Sequence, residues 1–450
     1  METFQVAIIG GGPAGYTAAE IAGKAGLRVV LFEKNKLGGV CLNEGCIPTK
    51  TLLYSAKMYN SMQSAAKYGV AVSGSVIDLK KVMSRKSKVI RKLMLGIKAK
   101  LVAQNVSIIT GEAYIKNRHT ICCEGIDYTC DALIVCTGSE TFVPSVSGLE
   151  AVGYWTHYEA LENTTIPQSL VVVGGGVIGM EFVSFFSSIG VQVTVIEMMG
   201  EILGGIDCEL AALLRADYAK RGVKFMLSTK VTKFEKQDKL VRIYYENEHD
   251  SGYVETEKVL MSTGRRPVMK GFGLENLNLE LTSRGLIQTD KHMQTSQQGV
   301  YVCGDLNGVS LLAHTAVREA EIAVHHLLGG EGEMNYQAVP GVVYTNPEVA
   351  SVGATEEFLE AQGLSYRSVK IPMTFSGRFV AENEGINGLC KVLVDNTNTI
   401  LGVHILGNPA SELIVLAGMM IQDHRKLPEW ERYIFPHPTV GEIFKELSLL

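Results

Sequence analysis

The chain carries one strand, glycine turn and helix pattern twice, and this duplication restricts its fold more than any other feature. Phe4 to Ile9 is an apolar run of the kind a buried parallel strand uses, and Gly10-Gly11-Gly12-Pro13-Ala14-Gly15 follows it directly. A small-residue helix is expected from Tyr16 to Gly26, then a strand from Leu27 to Phe32 that closes on Glu33. Ser169 to Val173, Gly174-Gly175-Gly176-Val177-Ile178-Gly179, a helix to Gly190 and a strand from Val191 to Ile196 closing on Glu197 repeat the order. In both copies the acid stands 23 residues after the first glycine. These are βαβ dinucleotide sites: Gly10 and Gly174 permit a tight turn, Gly12 and Gly176 let backbone approach a pyrophosphate, and Gly15 and Gly179 allow close helix packing. Glu33 and Glu197 can each accept hydrogen bonds from a ribose diol. Two copies imply two nucleotides. Met198 and Met199 follow Glu197 and offer no cation to a 2′-phosphate, so NAD rather than NADP is expected at the second site.

Each half also has a later strand that runs into Thr-Gly. Ala132 to Cys136 leads into Thr137-Gly138, and Lys258 to Ser262 leads into Thr263-Gly264. Such turns are natural places for backbone to meet a cofactor a second time. Gly299 to Gly304 is a further strand ending in Asp305, which can bind a sugar-like chain. A helix expected from Leu311 to Leu328 would place positive backbone dipoles around Ala313 and His314, near an anionic ring.

Between the first βαβ unit and its Thr-Gly turn lies Gly-Gly-Val-Cys-Leu-Asn-Glu-Gly-Cys-Ile-Pro-Thr-Lys at 38–50. Cys41 and Cys46 can be bridged if the four intervening residues coil into one turn. Pro48 suits a first helical turn, so Cys46 would stand near a positive dipole end that stabilises a thiolate. Cys41 is then the better candidate for exchange with a substrate. Two buried cysteines or half of a zinc site are the competing readings, although no matching Cys or His pair follows and no metal site is expected.

At 450 residues the chain has room for roughly three domains, and a hydrophobic share of 46% supports large cores. A net charge of −5 gives no reason to expect nucleic acid or an anionic membrane as partner. The basic run from Lys80 to Lys100 alternates with Leu79, Val82, Met83, Val89, Ile90, Leu93 and Ile97, and is expected to be the wet face of a long amphipathic helix. Nine cysteines, several inside apolar runs, point to buried thiols in a reducing compartment. With five residues ahead of Val6 and no apolar stretch long enough to span a bilayer, a cytoplasmic protein is expected.

From about Pro340 the character changes to an α+β pattern. Strands at Lys391 to Val394 and Ile400 to Leu406 alternate with helices at Thr355 to Gln362 and Ser411 to Asp423. Near the end, prolines flank His437, and Glu442 opens a helix from which it can orient that imidazole.

Taken together, Gly10 to Gly15, the 38–50 stretch, Gly174 to Glu181, Gly264-Arg265-Arg266-Pro267, Cys303-Gly304-Asp305, Leu312-Ala313-His314 and His437-Pro438-Thr439 with Glu442 resemble the pyridine nucleotide-disulfide oxidoreductases. The resemblance covers essentially the whole chain, and the cysteine stretch is more similar to the lipoamide branch than to the glutathione branch. It implies an α/β fold: two Rossmann-like domains, for FAD at 1–147 and NAD at 148–267, a central domain at 268–336 completing the FAD site, and a C-terminal α+β dimerisation domain at 337–450. It implies oxidation of dihydrolipoyl groups with NAD⁺, and a lipoyl-bearing carrier protein of a 2-oxoacid dehydrogenase or glycine cleavage system as partner. By the same resemblance Cys41 is the interchange cysteine and Cys46 the charge-transfer cysteine. Lys50 and Glu181 are the pair beside the flavin on the nicotinamide side. His437, oriented by Glu442, is the base given by the other subunit of a homodimer. Reduction of another disulfide or of a metal ion by NADH is the alternative within the family, and a slow flavin redox sensor or interaction subunit the alternative from another class.

Overall fold

A computed structural model of the protein describes residues 2–385 and 387–450. The chain divides into two compact units, one of residues 1–51, 83–142 and 264–334 and the other of residues 52–82, 143–263 and 335–450.

The first unit is built on a parallel sheet. Glu2–Ile9 lies between Val29–Glu33 and Ile126–Val135, all parallel, and Ser107–Thr110 and Val300–Val302 extend the parallel pairing on either side. Ala113–Asn117 and Thr120–Cys123 add an antiparallel flap to the first half of Ile126–Val135. The central strands are buried on both faces, which is why they read as continuous apolar runs instead of alternating ones. Alternate residues feed two cores. Val6, Ile8, Val29, Leu31 and Ile134 pack with alanines of the helix Pro13–Lys24 and with the helix Ala313–Leu327. Ala7, Ile9, Val30, Phe32, Leu133 and Val135 pack on the other face.

Sequence boundaries shift by a few residues. The first helix starts at Pro13, where the ring has no N–H to leave unpaired, and Leu27 and Arg28 precede the second strand. The basic segment is one helix, Leu79–Ala103, as its periodicity requires. Lys86 departs from the expected wet face: it is buried beside Val82 and Met83, whereas most of the other basic residues of the run are exposed.

In the second unit the repeat reappears as a four-stranded parallel sheet, ordered Lys224–Met226, Gln192–Ile196, Ser169–Val173, Lys258–Met261. A three-stranded antiparallel meander spans Lys230–Gln237, Leu240–Glu246 and Ser251–Thr256. The C-terminal segment forms a five-stranded antiparallel sheet whose core includes Phe379, Val392, Val403, Ile405, Trp430 and Phe444. In that segment Lys391 is fully buried, bonded to Asp207 at 2.6 Å, to Glu209 at 3.1 Å and to Glu356. Among the described residues no helix is long and apolar enough to cross a membrane.

Candidate active site

The cysteine stretch rests directly on the first glycine turn. Gly38 N–H donates to the Gly11 carbonyl at 2.8 Å, and a Cβ on Gly39 would stand 2.7 Å from Gly12 Cα. Positive φ at Gly38 (105°) and Gly39 (61°) turns the chain into the short helix Gly39–Glu44, which holds Cys41. Asn43 Nδ2 secures that turn by donating to the carbonyls of Gly39 and Leu37 at 2.9 and 3.2 Å. Gly45 breaks the helix, and Cys46 opens the next one, Cys46–Ser64. The coil between the cysteines thus brings the sulfurs to 2.7 Å, with Cys41 S–H donating to Cys46 Sγ. That hydrogen bond and burial push the Cys41 thiol upward, and the Lys50 ammonium one turn along the helix pulls against them. Tyr16 lies close enough to both sulfurs that, after burial, their charge raises its phenol.

The two glycine turns are superimposable in their chemistry. Glu33 Oε2 accepts the Gly11 N–H at 2.8 Å, and Glu197 Oε2 accepts the Gly175 N–H at 2.6 Å. Each carboxylate braces its own turn with one oxygen and holds a following loop with the other, through Asn35 N–H and Met199 N–H. The helices after the turns have Gly12 and Gly176 at their N-caps and so no side-chain cap, unlike Cys208–Lys220, where Asp207 accepts the Glu209 and Leu210 amides. Uncapped first-turn amides with no Cβ in front of them fit a bound pyrophosphate. The helix Ala313–Leu327 also starts without a side-chain cap.

Asp305 is held in a short chain: Arg265 donates to Ser139 Oγ at 2.8 Å, and Ser139 Oγ donates to Asp305 Oδ2 at 2.5 Å. Thr137 and Gly138 are clamped to Val268, through Thr137 Oγ1 to its carbonyl at 3.1 Å and Val268 N–H to Gly138 O at 3.0 Å. Gly264, in the same crossing, bonds Phe142 N–H through its carbonyl at 2.9 Å. Glu319, fully buried, accepts the Gly304 N–H at 2.6 Å and Asn307 Nδ2 at 2.9 Å, fixing the turn that presents Asp305. Spacing alone does not point to Tyr16, Ser139 or Glu319, because each acts through a neighbour brought close only by folding.

In the second unit Glu442 bonds His437 Nδ1 at 2.9 Å. Glu181 is buried on the helix Val177–Ser188, where one carboxylate oxygen accepts Tyr344 N–H at 3.1 Å. Among the described residues no group of three or more His, Cys, Asp or Glu is placed to hold a metal.

Residues 4–320 match the pyridine nucleotide-disulphide oxidoreductase model, and residues 339–448 match the dimerisation domain of the same oxidoreductases. The chain belongs to the pyridine nucleotide-disulphide oxidoreductases. Within this family it is 36% identical to a dihydrolipoyl dehydrogenase of Thermus scotoductus, covering 100% of this chain and 97% of that protein. It is 35% identical to the dihydrolipoyl dehydrogenase of Mycoplasma pneumoniae, covering 99% and 97%. A solved Cu(II) complex of the HOCl-induced flavoprotein disulfide reductase RclA from Escherichia coli shares its fold at a TM-score of 0.88, with 27% identity over 100% of this chain and 99% of that one. As a pyridine nucleotide-disulphide oxidoreductase the chain uses FAD and NAD(H), and its dimerisation domain makes the assembly a homodimer.

Proposed function

We propose that this chain oxidises dihydrolipoyl groups to lipoyl groups with NAD⁺ as acceptor, cycling Cys41 and Cys46 between disulfide and dithiol. The observation that carries the reading is the sulfur pair held on the first nucleotide turn, in a chain matched along its whole length by dihydrolipoyl dehydrogenases. Residues 1–147 and 268–336 form the FAD domain and its completion, 148–267 the NAD domain, and 337–450 the dimerisation domain. The first-turn amides from Gly12, with Gly10, Gly15, Glu33, Thr137, Gly138, Asp305 and Ala313, hold FAD; Gly174, Gly176, Gly179, Glu197 and Gly264 hold NAD. Lys50 and Glu181 flank the flavin on the nicotinamide side. Bound FAD supplies the two-electron relay between the thiols and the nicotinamide.

The chain's own groups manage the sulfur exchange. His437 of the partner subunit takes a proton from one dihydrolipoyl thiol at Nε2, its Nδ1–H being held by Glu442. The thiolate attacks Cys41 Sγ, the Cys41–Cys46 bond breaks, and Cys46 leaves as a thiolate stabilised by its helix N-terminus. The second dihydrolipoyl thiol then attacks the mixed disulfide and releases the oxidised lipoyl group with Cys41 as a thiol. A lipoyl-bearing carrier protein of a 2-oxoacid dehydrogenase or glycine cleavage system delivers the dithiol, and nine cysteines, several of them inside apolar runs, suit a reducing compartment such as the cytoplasm.

The test is NADH formation from dihydrolipoamide and NAD⁺ by the FAD-loaded protein. Rapid NADH production is expected. Bleaching of the flavin by NADH without any turnover of dihydrolipoamide would overturn the substrate. The fold shared with the Cu(II) complex of RclA favours one second reading, reduction of a metal ion by NADH, and Cu(II) as the alternative acceptor separates the two.

A further inference from the structure

A second pair of thiols lies in the interior of the first unit. Cys136 directly follows the strand Ile126–Val135, and Cys303 directly follows Val300–Val302. The strands are parallel with Val135 opposite Val302, so the continued register sets Cys136 opposite Cys303, and Cys303 N–H donates to the Val135 carbonyl at 3.2 Å. Neighbouring strands lie about 4.8 Å apart, inside the Cα separation of about 4.4–6.8 Å that a disulfide spans. Strand alternation turns both side chains to one face, where they share a core with Ile134 and Tyr301. Cys136 keeps 7% of its surface and Cys303 none. A Cβ on Gly10 would stand 2.3 Å from the Cys136 carbonyl, so the pair borders the first nucleotide turn.

We propose that Cys136 and Cys303 form a second, non-catalytic dithiol that closes to a disulfide when a hydroperoxide reaches the holoenzyme. Cys136, the less completely buried residue of the two, attacks the peroxide; the O–O bond breaks, an alcohol or water leaves with the thiol proton, and Cys136 becomes a sulfenic acid. Cys303 then attacks that sulfur, the S–O bond breaks, and a second water carries away the remaining thiol proton. Two thiols lose two electrons and two protons, and one peroxide is reduced. The new bond ties together the strand ends from which Thr137-Gly138 and Gly304-Asp305 continue, placing an oxidant-dependent cross-link at the nucleotide site's floor.

The experiment treats the FAD-loaded homodimer with a tenfold excess of hydrogen peroxide, unfolds it in iodoacetamide and maps its peptides by mass spectrometry. A linked Cys136–Cys303 peptide that disappears on reduction with dithiothreitol is expected. In Cys303→Ala the resolving thiol is gone, so Cys136 is expected to be trapped by dimedone or carried to a sulfinic acid. Complete alkylation of both cysteines in the peroxide-treated wild type, or Cys136 linked to any other cysteine, overturns the proposal. The wild-type map decides alone if Cys303→Ala fails to fold.

Discussion

Glu442 holds His437 Nδ1 at 2.9 Å with one carboxylate oxygen and the Thr439 N–H at 2.8 Å with the other. The backbone bond fixes the carboxylate, and the carboxylate fixes the ring. Donation of Nδ1–H to Glu442 leaves the lone pair on Nε2, on a side chain that is 80% exposed in the single chain. The Thr439 N–H, followed by the imidazole, draws the Glu442 carboxyl below its usual range, so the pair stays charged on the glutamate side at neutral pH. His437→Gln is expected to slow dihydrolipoamide oxidation by about 10²–10⁴-fold, the usual worth of a positioned base. NADH oxidation by an artificial acceptor, which needs no thiol proton removed, should stay within twofold. Equal losses in both assays would count against a base at this position.

Much of this arrangement was legible before the fold. The helix Leu79–Ala103, the strand Ser169–Val173 and the second βαβ unit follow from periodicity and glycine placement, because local chemistry alone decides them. The His437 and Glu442 pairing was legible for the same reason: five residues and a helix start bring them together. Long-range partners were not. Ser139 meets Asp305 across 166 residues, and Lys86 is buried in a run that spacing assigns to water. The three-stranded meander at 230–256 was likewise hidden, since its half-exposed strands mix polar and apolar residues without a strong period.

Cys41 and Cys46 are expected to separate by assay. Cys46→Ser removes the sulfur that accepts from Cys41 and should abolish dihydrolipoamide turnover while FAD remains bound, as read by the visible spectrum. Full lipoamide turnover in that variant would remove the disulfide from the mechanism.

Gly15 and Gly176 make opposite predictions from one residue type. A Cβ on Gly15 would stand 1.8 Å from the Gly10 carbonyl, so the helix must move away from the strand end. Gly15→Ala is expected to cost about 1–3 kcal/mol or more of stability and to yield protein poor in flavin. Gly176 has open space where its Cβ would be, and its φ of −70° suits alanine. Gly176→Ala should therefore keep its melting temperature and its flavin, yet weaken NADH binding by about tenfold, equivalent to ~1.4 kcal/mol. Unchanged NADH affinity, measured by titration, would move the pyrophosphate away from this turn.

Lys391 anchors the C-terminal sheet to the start of the helix Cys208–Lys220. It is fully buried and answers three carboxylates, of which Asp207 is fully buried as well. Burial alone would lower the ammonium, but its bonds to Asp207, Glu356 and Glu209 outweigh that and raise it. Lys391→Met leaves Asp207 with a buried charge and no cation, a loss of about 3–5 kcal/mol. Urea unfolding should show the midpoint fall, and a variant that also carries Asp207→Asn should regain part of it. A midpoint equal to that of the wild type would mean that solvent reaches the cluster.

The same corner gives a pH dependence whose sign is fixed. Burial would raise the Glu357 carboxyl, but its own backbone N–H and both the thiol and the N–H of Cys208 bond the charged form and bring it down to about 2. An unfolded glutamate titrates near about 4.3. The depressed value therefore contributes stability that is fully present above about pH 4.3 and lost as pH falls toward about 2. The side chain is exposed, so solvent screening keeps the contribution under about 1 kcal/mol. Glu357→Gln can still accept the Cys208 N–H that the wild type bonds at 3.0 Å, but it no longer titrates. Its melting temperature should be slightly below that of the wild type at pH 7, and the gap should close between pH 4.3 and pH 2. A gap that stays constant over that window would show that Glu357 binds its proton equally in the folded and unfolded chains.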